Sequence, residues 1–471
     1  MIRLHETIRV ARSAADSYRY LVDFSTCEQW DRGVYRARKL TPGAPRVGSE
    51  FEVTVRMFGR RTTLSYRITD LAENAHIALE MQGSGIRSTE TIRFEENSAG
   101  ETSIDYRADF SLSGMLGASE IAMKPVFKRI GRKAVAGLRE ALTIRTEPPQ
   151  QGWISYAADR SMVLAAPSFT ERGYLALDDK AHSEFMDDRV VVVTGATSGI
   201  GEAIAAEYAR LGASVVLVGR DSEKLAASRQ RVQDFADGDG ERIHTEQADL
   251  LDVAATTALG SRLVEKFAKI DVLVNNAGAL FQEHALTGDG FERSLAINLV
   301  APFVLTETLM PALLAADGRV VNMSSGGMYL QPLVLDDLNF ENETFSGNKA
   351  YARAKRGLVA LTRHWARRYG DAGVNFNAMH PGWVATPGVT ESLPGFDKVM
   401  GRMLRDARMG ADTAVWLGAA RAARDCQGEF FLDRTPHPTA VLPNTAVRPS
   451  DAQTLYGWLR NETGIEVHGV G

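Results

Sequence analysis

From Arg189 onward the sequence alternates short apolar runs with amphipathic stretches of helical length, and this alternation constrains the fold more than any other feature. The first run, Val190–Thr194, is continuously apolar, as expected of a strand that is buried on both faces. Strands that alternate with helices are joined by crossovers and lie parallel. We therefore predict an α/β domain with a doubly wound parallel sheet over residues 188–440. Its strands are expected at 190–194, 214–218, 243–248, 272–275, 320–323, 374–380 and 429–432, and a C-terminal helix and tail at 441–471.

Residues 1–146 follow a different pattern, in which runs with period-two alternation come after an early helix. Ser13 is the expected N-cap of that helix, which we place at 13–24. Strands are predicted at 50–57, 62–71, 76–81, 88–94 and 102–112, and a long amphipathic helix at 121–142. These features predict an α+β domain with an antiparallel sheet over 1–146. Residues 147–187, which begin with a Pro- and Gln-rich break, are expected to form a linker and lead-in helices.

The length and charge of the chain exclude several classes of protein. A chain of 471 residues favours two domains, and a net charge of -5 gives no basic field that would recruit nucleic acid or an anionic membrane. We find no signal-peptide core and expect no stretch close to the about 20 apolar residues of a membrane-spanning helix. Cys27 and Cys426 lie in different predicted domains, so no disulfide framework or zinc site is expected. A reducing, cytoplasmic location is therefore predicted.

A glycine-rich segment, Thr194-Gly-Ala-Thr-Ser-Gly-Ile-Gly201, joins the first strand of the α/β domain to the next helix. Its glycines permit a tight turn, and the N-terminus of the helix offers free N–H groups to a pyrophosphate, as in Rossmann-type domains. The spacing differs from the Gly-x-Gly-x-x-Gly of most dinucleotide sites. Candidate cofactor contacts here are Thr194, Gly195, Ser198, Gly199, Ile200 and Gly201. Further candidates after later strands are Asn276, Ala277, Gly278, Pro381, Gly382, Val384 and Thr386.

The end of the second strand bears on the choice between NAD and NADP. An acidic residue there binds the ribose 2′-OH, whereas a basic residue accepts a 2′-phosphate. Gly219 occupies the usual acidic position and Arg220 follows it, so NADP is favoured over NAD. Asp221 could instead cap the next helix. After the third strand, Asp249-Leu250 could hold the adenine amino group, and Asp249 could also cap the helix that follows.

Tyr351 and Lys355 are spaced to lie one helical turn apart on the same face. A phenol titrates near about 10, and a nearby ammonium with a bound nicotinamide cation would lower that pKa. Tyr351 could then exchange a proton with a substrate oxygen while hydride moves at the carbon. The same spacing recurs at Tyr35 and Lys39, outside the predicted nucleotide-binding domain, and we interpret that copy as chance.

Three further polar residues are candidates for the same chemistry. Ser325 or its neighbour Ser324, after the fifth strand, could hydrogen-bond the substrate carbonyl. Asn298 lies within a helical pattern, where Asn is unfavourable, so it could hold a water in a proton relay or be a buried structural residue. His380 is more readily interpreted as structural than as catalytic.

Taken together, these residues resemble the short-chain dehydrogenase/reductase family over about 189–432. The resemblance implies that Asn298, Ser325, Tyr351 and Lys355 form its catalytic tetrad, and that Tyr351 and Lys355 also contact the cofactor. The interval between Ser325 and Tyr351 is long, as in retinol-dehydrogenase-like members. Short motifs, among them Ser324-Ser-Gly-Gly-Met328 and Phe430-Phe-Leu-Asp-Arg434, are similar to the member-twelve group of dehydrogenase/reductases.

The first 146 residues resemble the START/Bet v 1-like (SRPBCC) superfamily, near the polyketide cyclase/dehydrase group. The resemblance rests on Asp23-Phe24, Glu28-Gln-Trp-Asp31, Gly48-Ser-Glu-Phe51 and the C-terminal helix. It implies a helix-grip fold, in which a curved antiparallel sheet wraps a long helix and leaves an apolar ligand cavity. No catalytic residue stands out in this domain.

We therefore expect an NADP-dependent oxidoreductase that interconverts a lipophilic small-molecule ketone or aldehyde and its alcohol, with an apolar ligand in the first domain. The alternative is a lipid-binding protein whose dinucleotide-binding module is non-catalytic or sensing. A cyclase acting in series with the reductase has no specific support. The apolar stretches 328–345 and 389–403 could line a substrate mouth or belong to the core or an interface. The chain could form a homo-oligomer through helices predicted at 291–315 and 350–369.

Overall fold

The computed structural model describes residues 2–57, 60–113, 120–152, 159, 166–177, 179–236, 240–385 and 403–469. The chain forms two compact units. The first contains Met1–Arg145 and Asp178–Ser183, and the second contains Thr146–Leu177 and Glu184–Gly471. Most of the described part of the predicted connecting segment therefore belongs to the second unit, and a short part of it belongs to the first.

The first unit is a seven-stranded antiparallel sheet with a long helix. Its elements are β1 (Ile2–Val10), α1 (Ala14–Val22), α2 (Cys27–Trp30), β2 (Val34–Lys39), β3 (Glu50–Met57), β4 (Arg60–Ala72), β5 (His76–Gly83), β6 (Ile86–Glu96), β7 (Thr102–Leu112) and α3 (Glu120–Leu142). The strand order is β1-β7-β6-β5-β4-β3-β2. Helix α3 packs on β1 and α2, and a cavity of about 270 Å³ lies between this helix and the sheet. The predicted helix-grip fold is confirmed.

Strands β1 and β2 were not predicted. The nine residues of β1 alternate between buried and exposed positions, but their partner strand β7 lies about a hundred residues further along the chain. Strand β2 contains the second Tyr-x-x-x-Lys pattern. In a strand, residues four apart are separated by about 13 Å, so Tyr35 and Lys39 cannot act as a helical pair. The Tyr35 ring is covered instead by the Arg61 guanidinium, 3.6 Å from its centroid.

The second unit is a doubly wound α/β domain, as predicted. Its elements are α4 (Glu171–Leu175), β8 (Val190–Thr194), α5 (Gly199–Arg210), β9 (Ser214–Gly219), α6 (Ser222–Ala236), β10 (Ile243–Gln247), α7 (Val253–Lys266), β11 (Val272–Asn275), α8 (Arg293–Leu314), β12 (Arg319–Met323), α9 (Gly347–Tyr369), β13 (Asn375–Met379), α10 (Ala407–Ala419), β14 (Phe430–Leu432), β15 (Thr435–His437) and α11 (Pro449–Thr463).

The sheet of the second unit has the order β10-β9-β8-β11-β12-β13-β14-β15. All neighbouring strands are parallel except β15, an antiparallel edge strand that was not predicted because it is only three residues long and contains Pro436. The chain order reverses between β8 and β11. In open α/β sheets, the crevice at the carboxyl ends of the strands beside such a reversal is where ligands bind.

Helix α8 is more apolar than the sequence analysis allowed. By length and composition alone, the helix Arg293–Leu314 could cross a membrane. However, 78% of its most apolar 18-residue stretch is buried inside the protein. The prediction that no stretch approaches this length was therefore wrong. The apolarity serves core packing, since Leu299, Phe303 and Leu309 are fully buried in the largest core cluster.

The C-terminal helix α11 covers helices α8 and α9. Tyr456 meets the Phe303 ring edge-on at 5.5 Å between centroids, and Leu455 and Leu459 are fully buried in the same cluster. Part of the surface of α8 and α9 that was expected to be open to a second copy is therefore occupied by a segment of the same chain. A homo-oligomer stays a prediction.

Two helical glycines of the second unit differ in the space around them, so substituting each one tests how tightly the domain is packed. A methyl group at Gly418 in α10 would collide with the hydroxyl of Tyr208, which donates to the Ala414 carbonyl at 2.9 Å. A methyl group at Gly457 in α11 would meet no atom within 4 Å. We expect Gly418→Ala to lower stability by about 2 kcal/mol, and Gly457→Ala to raise it by up to about 1 kcal/mol. Thermal unfolding of the full chain checks both, and equal melting temperatures for the two variants would contradict this packing.

Candidate active site

The loop Thr194–Gly201 leaves the carboxyl end of β8 at the strand-order reversal and leads into α5. Gly195 and Gly199 have φ of +65° and +59°, a conformation that glycine adopts without strain. Ser198 is the N-cap residue of α5, but its side chain makes no capping hydrogen bond. The N–H groups of the first turn therefore keep their capacity to bind an anion, and the positive end of the helix dipole points the same way.

Asn276 fixes the shape of this loop. Its Nδ2 donates to the carbonyls of Thr194 at 2.8 Å and Gly195 at 3.3 Å, and its backbone N–H donates to Thr194 Oγ1 at 3.0 Å. A Cβ on Gly195 would lie 2.9 Å from the Cα of Ala277, and one on Gly201 would collide with Asn276 Nδ2. The two loops therefore pack backbone against backbone, which only glycine permits at these positions.

The end of β9 places Gly219, Arg220 and Asp221 beside the glycine loop. A Cβ on Gly219 would lie 2.6 Å from Cγ2 of Thr197, so an acidic side chain there would require the loop to shift. Arg220 is exposed, and within the described part of the chain its guanidinium has no hydrogen-bond partner. Asp221 Oδ1 accepts from the N–H groups of Glu223 and Lys224, each at 3.0 Å, and therefore caps α6.

Asp249 is exposed after β10, and among the described residues its carboxylate accepts only a local hydrogen bond, from the N–H of Leu251 at 3.0 Å. The cap of α7 is Asp252, whose Oδ1 accepts from the Ala255 N–H at 2.7 Å. The suggestion that Asp249 caps this helix was wrong, because Asp252 is the residue directly before the first turn. One oxygen of Asp249 stays available to a ligand.

Tyr351 and Lys355 lie one turn apart on α9, with the ammonium nitrogen 5.7 Å from the centroid of the phenol ring. Lys355 is buried, and its Nζ donates to the carbonyl of Met323 at the end of β12 at 2.7 Å. Burial lowers the pKa of Lys355 to about 7. Burial also raises the pKa of Tyr351, and a hydrogen bond with Ser325 opposes that rise.

The two serines after β12 have different partners. Ser324 is buried, and its hydroxyl donates to the backbone carbonyl of Lys355 at 3.2 Å, which holds α9 against the strand. Ser325 lies close enough to the Tyr351 phenol to oppose the rise of its pKa, and its Oγ accepts from the Gly327 N–H at 3.3 Å. The geometry therefore favours Ser325 over Ser324 as the residue that faces a substrate.

Asn298 lies in a π-helical turn, Ala296–Val300, within α8. Such turns occur frequently at functional sites, because the extra residue redirects a side chain. Nδ2 of Asn298 donates to the carbonyls of Ala279 and Ser294, both at 2.8 Å, while its buried Oδ1 has no partner in the described part of the chain. A Cβ on Gly278 would lie 2.6 Å from this Oδ1 and 3.2 Å from Lys355 Nζ. Both polar atoms therefore face the same small space.

The loop after β13 carries the remaining candidates. Gly382 has φ of +79°, and a Cβ there would collide with the side chain of Arg405. Val384 is buried and packs near Gly410 at the start of α10, where Ile200 of the glycine loop also lies. The two ends of the candidate cofactor site are therefore connected through apolar packing. Thr386 lies outside the described residues.

His380 precedes this loop and is buried beside the ring of Phe169, 5.0 Å away between centroids. Neither ring nitrogen has a hydrogen-bond partner in the described chain. Burial, with the nearby charges of Arg405 and His437, lowers the pKa of His380 to about 3. The ring is therefore neutral near pH 7, which fits a packing role.

A polar network in the core beneath the site was not predicted from the sequence. Asn275 Nδ2 donates to Asn322 Oδ1 at 2.8 Å and to Thr306 Oγ1 at 3.1 Å, and Asn322 Nδ2 donates to Thr362 Oγ1 at 2.9 Å. The network joins β11, β12, α8 and α9, the elements that carry Asn298, Ser325 and Tyr351. An Asn within an otherwise apolar strand was the signal that could have revealed it.

The bidentate ion pair of Arg405 with Asp433 was also missed, with contacts of 2.6 and 2.7 Å. The guanidinium is buried, and it also donates to the carbonyls of Ser168 at 2.6 Å and Thr170 at 3.0 Å. The lead-in segment is thereby attached to the loop that contains Gly382. The signal in the sequence was Asp433, within the Phe-Phe-Leu-Asp-Arg motif.

The long segment before α9 contributes several side chains to the core. Met328 and Tyr329 are buried against Phe430, and Leu333, Leu335 and Leu338 pack on the main core. Glu343 pairs with Arg353 and, at 3.4 Å, with Lys349 of α9. The second stretch that was considered, 389–403, falls almost wholly outside the described residues.

The residues present fit a nicotinamide dinucleotide. The uncapped start of α5 and the glycine cradle suit a pyrophosphate, and Asn298 Oδ1 and Lys355 Nζ offer two polar atoms to one small space beside Gly278. No group of three or more His, Cys, Asp and Glu side chains suited to a metal ion occurs among the described residues.

Each of the two units matches a known protein family. Residues 189–395 match the family model described as short chain dehydrogenase, and residues 1–143 match the one described as polyketide cyclase / dehydrase and lipid transport. The chain is 37% identical to dehydrogenase/reductase SDR family member 12 of Bos taurus and 38% identical to that of Homo sapiens. These matches cover 61% and 57% of the chain and 91% and 84% of the relatives.

A more distant relative is retinol dehydrogenase 13 of Homo sapiens, 29% identical over 55% of this chain and 82% of that protein. The short chain dehydrogenase model matches residues of the second unit, and the polyketide cyclase model matches residues of the first. The chain belongs to the short-chain dehydrogenase/reductase family of NAD(P)-dependent oxidoreductases, with a polyketide cyclase/dehydrase-type domain at its N-terminal end.

Proposed function

We propose that the protein interconverts a lipophilic ketone or aldehyde and the corresponding alcohol, with NADP as cofactor and Tyr351 as the acid–base residue. The observation that carries this proposal is the meeting of Tyr351, Ser325 and Lys355 at the carboxyl end of β12, beside the glycine cradle. When bound, the nicotinamide supplies hydride to the carbonyl carbon or takes it up from the alcohol.

Tyr351 is suited to give its proton to a carbonyl oxygen. Burial raises the pKa of its phenol in the ligand-free protein, so the hydroxyl is protonated at neutral pH. Ser325 is placed to donate a second hydrogen bond to the same oxygen, which orients the carbonyl and stabilises the charge that develops on it. In the reverse direction the phenolate accepts the proton of the alcohol.

Lys355 affects the balance between the phenol and phenolate forms of Tyr351. Because burial lowers its pKa to about 7, the ammonium and the neutral amine coexist near neutral pH in the ligand-free protein. A nearby anionic or hydrogen-bonding group favours the ammonium, and the ammonium in turn favours the phenolate. Asn298 Oδ1 faces the same space as Lys355 Nζ, and a water held there would pass protons between Lys355 and solvent.

The preference for NADP is supported by two features of the β9 end. Gly219 has little room for an acidic side chain, and Arg220 presents an exposed guanidinium without a partner in the described chain. A guanidinium binds a phosphate through two parallel hydrogen bonds.

A lipophilic substrate and a reducing, cytoplasmic location are further parts of the proposal. The cavity of the first unit is lined mostly by apolar side chains, which supports an apolar ligand. Cys27 and Cys426 are both free and buried, and burial raises the pKa of both thiols. Such thiols suit a compartment in which disulfides do not form.

The first test removes the phenol hydroxyl. Tyr351→Phe is expected to lower kcat by at least about 100-fold, since a general acid contributes on that order, and to leave the Kd for NADPH nearly unchanged. Turnover of a panel of aromatic and long-chain ketones, followed by NADPH absorbance, measures the first quantity, and fluorescence titration measures the second.

Tyr35→Phe is the matched control, because Tyr35 has the same spacing to a lysine but lies on a strand of the first unit. Full activity in Tyr351→Phe would refute the assignment. A wild-type protein that binds NADPH tightly but reduces no member of the panel would favour the non-catalytic alternative.

The second test concerns Arg220. Arg220→Ala is expected to raise KM for NADPH about tenfold or more while KM for NADH stays the same, because a charged hydrogen bond to the 2′-phosphate is lost. Lys224→Ala, which removes an exposed cation one turn away on α6, should change neither value. Equal use of both cofactors by the wild-type enzyme would refute the NADP preference.

A further inference from the structure

The cavity of the first unit meets solvent beside helix α3. Most of its described lining is buried or half-buried, and the lining residues that are exposed are Arg56, Val126 and Ile130. Val126 and Ile130 lie on α3 and are 40% and 46% exposed, whereas Arg56 lies on β3. These side chains therefore mark the mouth of the cavity, which is formed by two aliphatic groups and one cation.

Two further cations share the face of α3 that carries the exposed aliphatic side chains. Arg129 follows Val126 by three residues, Ile130 follows it by four and Lys133 by seven, which is the spacing of one helical face. Arg129 and Lys133 are exposed, and within the described part of the chain neither forms an ion pair. We call Val126, Arg129, Ile130 and Lys133 the α3 face.

The whole helix carries a local excess of positive charge. Between Glu120 and Glu140 it has no acidic residue, and it has six cations, Lys124, Lys128, Arg129, Arg132, Lys133 and Arg139. One of them, Arg132, is 3.7 Å from Glu6 of β1 in an exposed pair. The net charge of -5 belongs to the whole chain, but charges are screened beyond about 10 Å at 0.1 M salt. The overall charge therefore does not decide what this face attracts.

We propose that the α3 face docks on a membrane that contains anionic lipids, with Val126 and Ile130 in the interface and Arg129 and Lys133 at the lipid headgroups. A basic amphipathic helix with an exposed apolar strip is typical of such binding. Each lysine or arginine near an anionic surface strengthens the attachment. A face that only meets water would account for the cations, but not for the aliphatic pair beside them.

A bilayer suits this face better than the other occupants that its charge allows. A second copy of the same face would bring Arg129 and Lys133 against like charges. An acidic polypeptide would pair with the cations, but it would make no use of a cavity that opens between Val126, Ile130 and Arg56. An anionic bilayer offers both the charge and an apolar interior behind it.

Docking in this orientation brings the mouth of the cavity to the bilayer surface. An apolar molecule can then pass between the acyl chains and the cavity without exposing its surface to water, which is unfavourable in proportion to the apolar area. Cytoplasmic leaflets carry anionic lipids, in keeping with the proposed location. The docking goes beyond the proposed reaction and does not rest on it.

Co-sedimentation of the full chain with vesicles tests the docking. One set of vesicles is phosphatidylcholine alone, and the other contains about one third phosphatidylserine. At about 0.1 M NaCl we expect the wild-type protein to bind the mixed vesicles at least about tenfold more tightly than phosphatidylcholine. At about 0.5 M NaCl most of this advantage should be lost, because salt screens the cations.

Two variants separate the charged contribution from the apolar one. Arg129→Gln combined with Lys133→Gln should weaken binding to the mixed vesicles about 25-fold, at about fivefold for each cation, and leave binding to phosphatidylcholine unchanged. Ile130→Asn should weaken binding to both kinds of vesicle about tenfold, because it removes an aliphatic contact with the interface.

Matched controls use the same substitutions elsewhere. Arg87→Gln combined with Arg93→Gln removes two exposed cations of β6, which alternate with buried residues and so lie on the face of the sheet turned away from the cavity. Leu286→Asn changes an exposed leucine of the second unit. Neither control should alter vesicle binding. Thermal unfolding of each variant verifies that the fold is retained.

Every other result would overturn the proposal. It fails if the mixed vesicles are not bound, if both kinds are bound equally, or if the Arg87/Arg93 control loses as much affinity as the Arg129/Lys133 variant. Equally tight binding of soluble polyglutamate would assign the face to an acidic polypeptide. A dimer that Ile130→Asn dissociates in sedimentation velocity would assign it to a second copy. Turnover of soluble ketones with NADPH, measured without vesicles, tests the proposed function separately in each case.

Discussion

The candidate active site depends on the way α9 is held against the end of β12. Lys355 Nζ donates to the carbonyl of Met323, and the hydroxyl of the next residue, Ser324, donates back to the carbonyl of Lys355. This reciprocal pair fixes both the distance and the rotation of the helix relative to the strand. Tyr351, one turn earlier, is thereby placed beside Ser325. Burial disfavours the charged form of Lys355, as its lowered pKa indicates. Holding the lysine in this position therefore costs free energy that the rest of the fold must offset.

Much of this could be predicted from the sequence, because the main signals are local. Each of these signals is carried by residues that are close together in sequence. This holds for the strands of the second unit, for the glycine loop and for the Tyr351–Lys355 spacing. The identical Tyr35–Lys39 spacing shows the limit of such patterns. Tyr35 belongs to a strand because β2 pairs with β3, and that pairing depends on residues outside the pattern.

What could not be predicted depends on long-range contacts. Asn322, Thr306 and Thr362 are ordinary residues in their own segments, and only the stacking of β11, β12, α8 and α9 joins them into a network. Arg405 likewise meets Asp433 and the Ser168 carbonyl across three separate segments. The cap of α7 was missed for a simpler reason, since Asp249 and Asp252 both precede the helix and only the backbone geometry shows which one faces its N–H groups.

Unpartnered buried polar atoms are informative only together with the space beside them. Among the described residues, His364, Ser17 and His380 each have such an atom. Asn298 differs because its free Oδ1 faces Gly278 and lies in the same small space as Lys355 Nζ. An unmade hydrogen bond costs about 1–3 kcal/mol, and a ligand or water that completes it recovers that free energy. At Asn298, therefore, the unmade hydrogen bond coincides with the candidate active site.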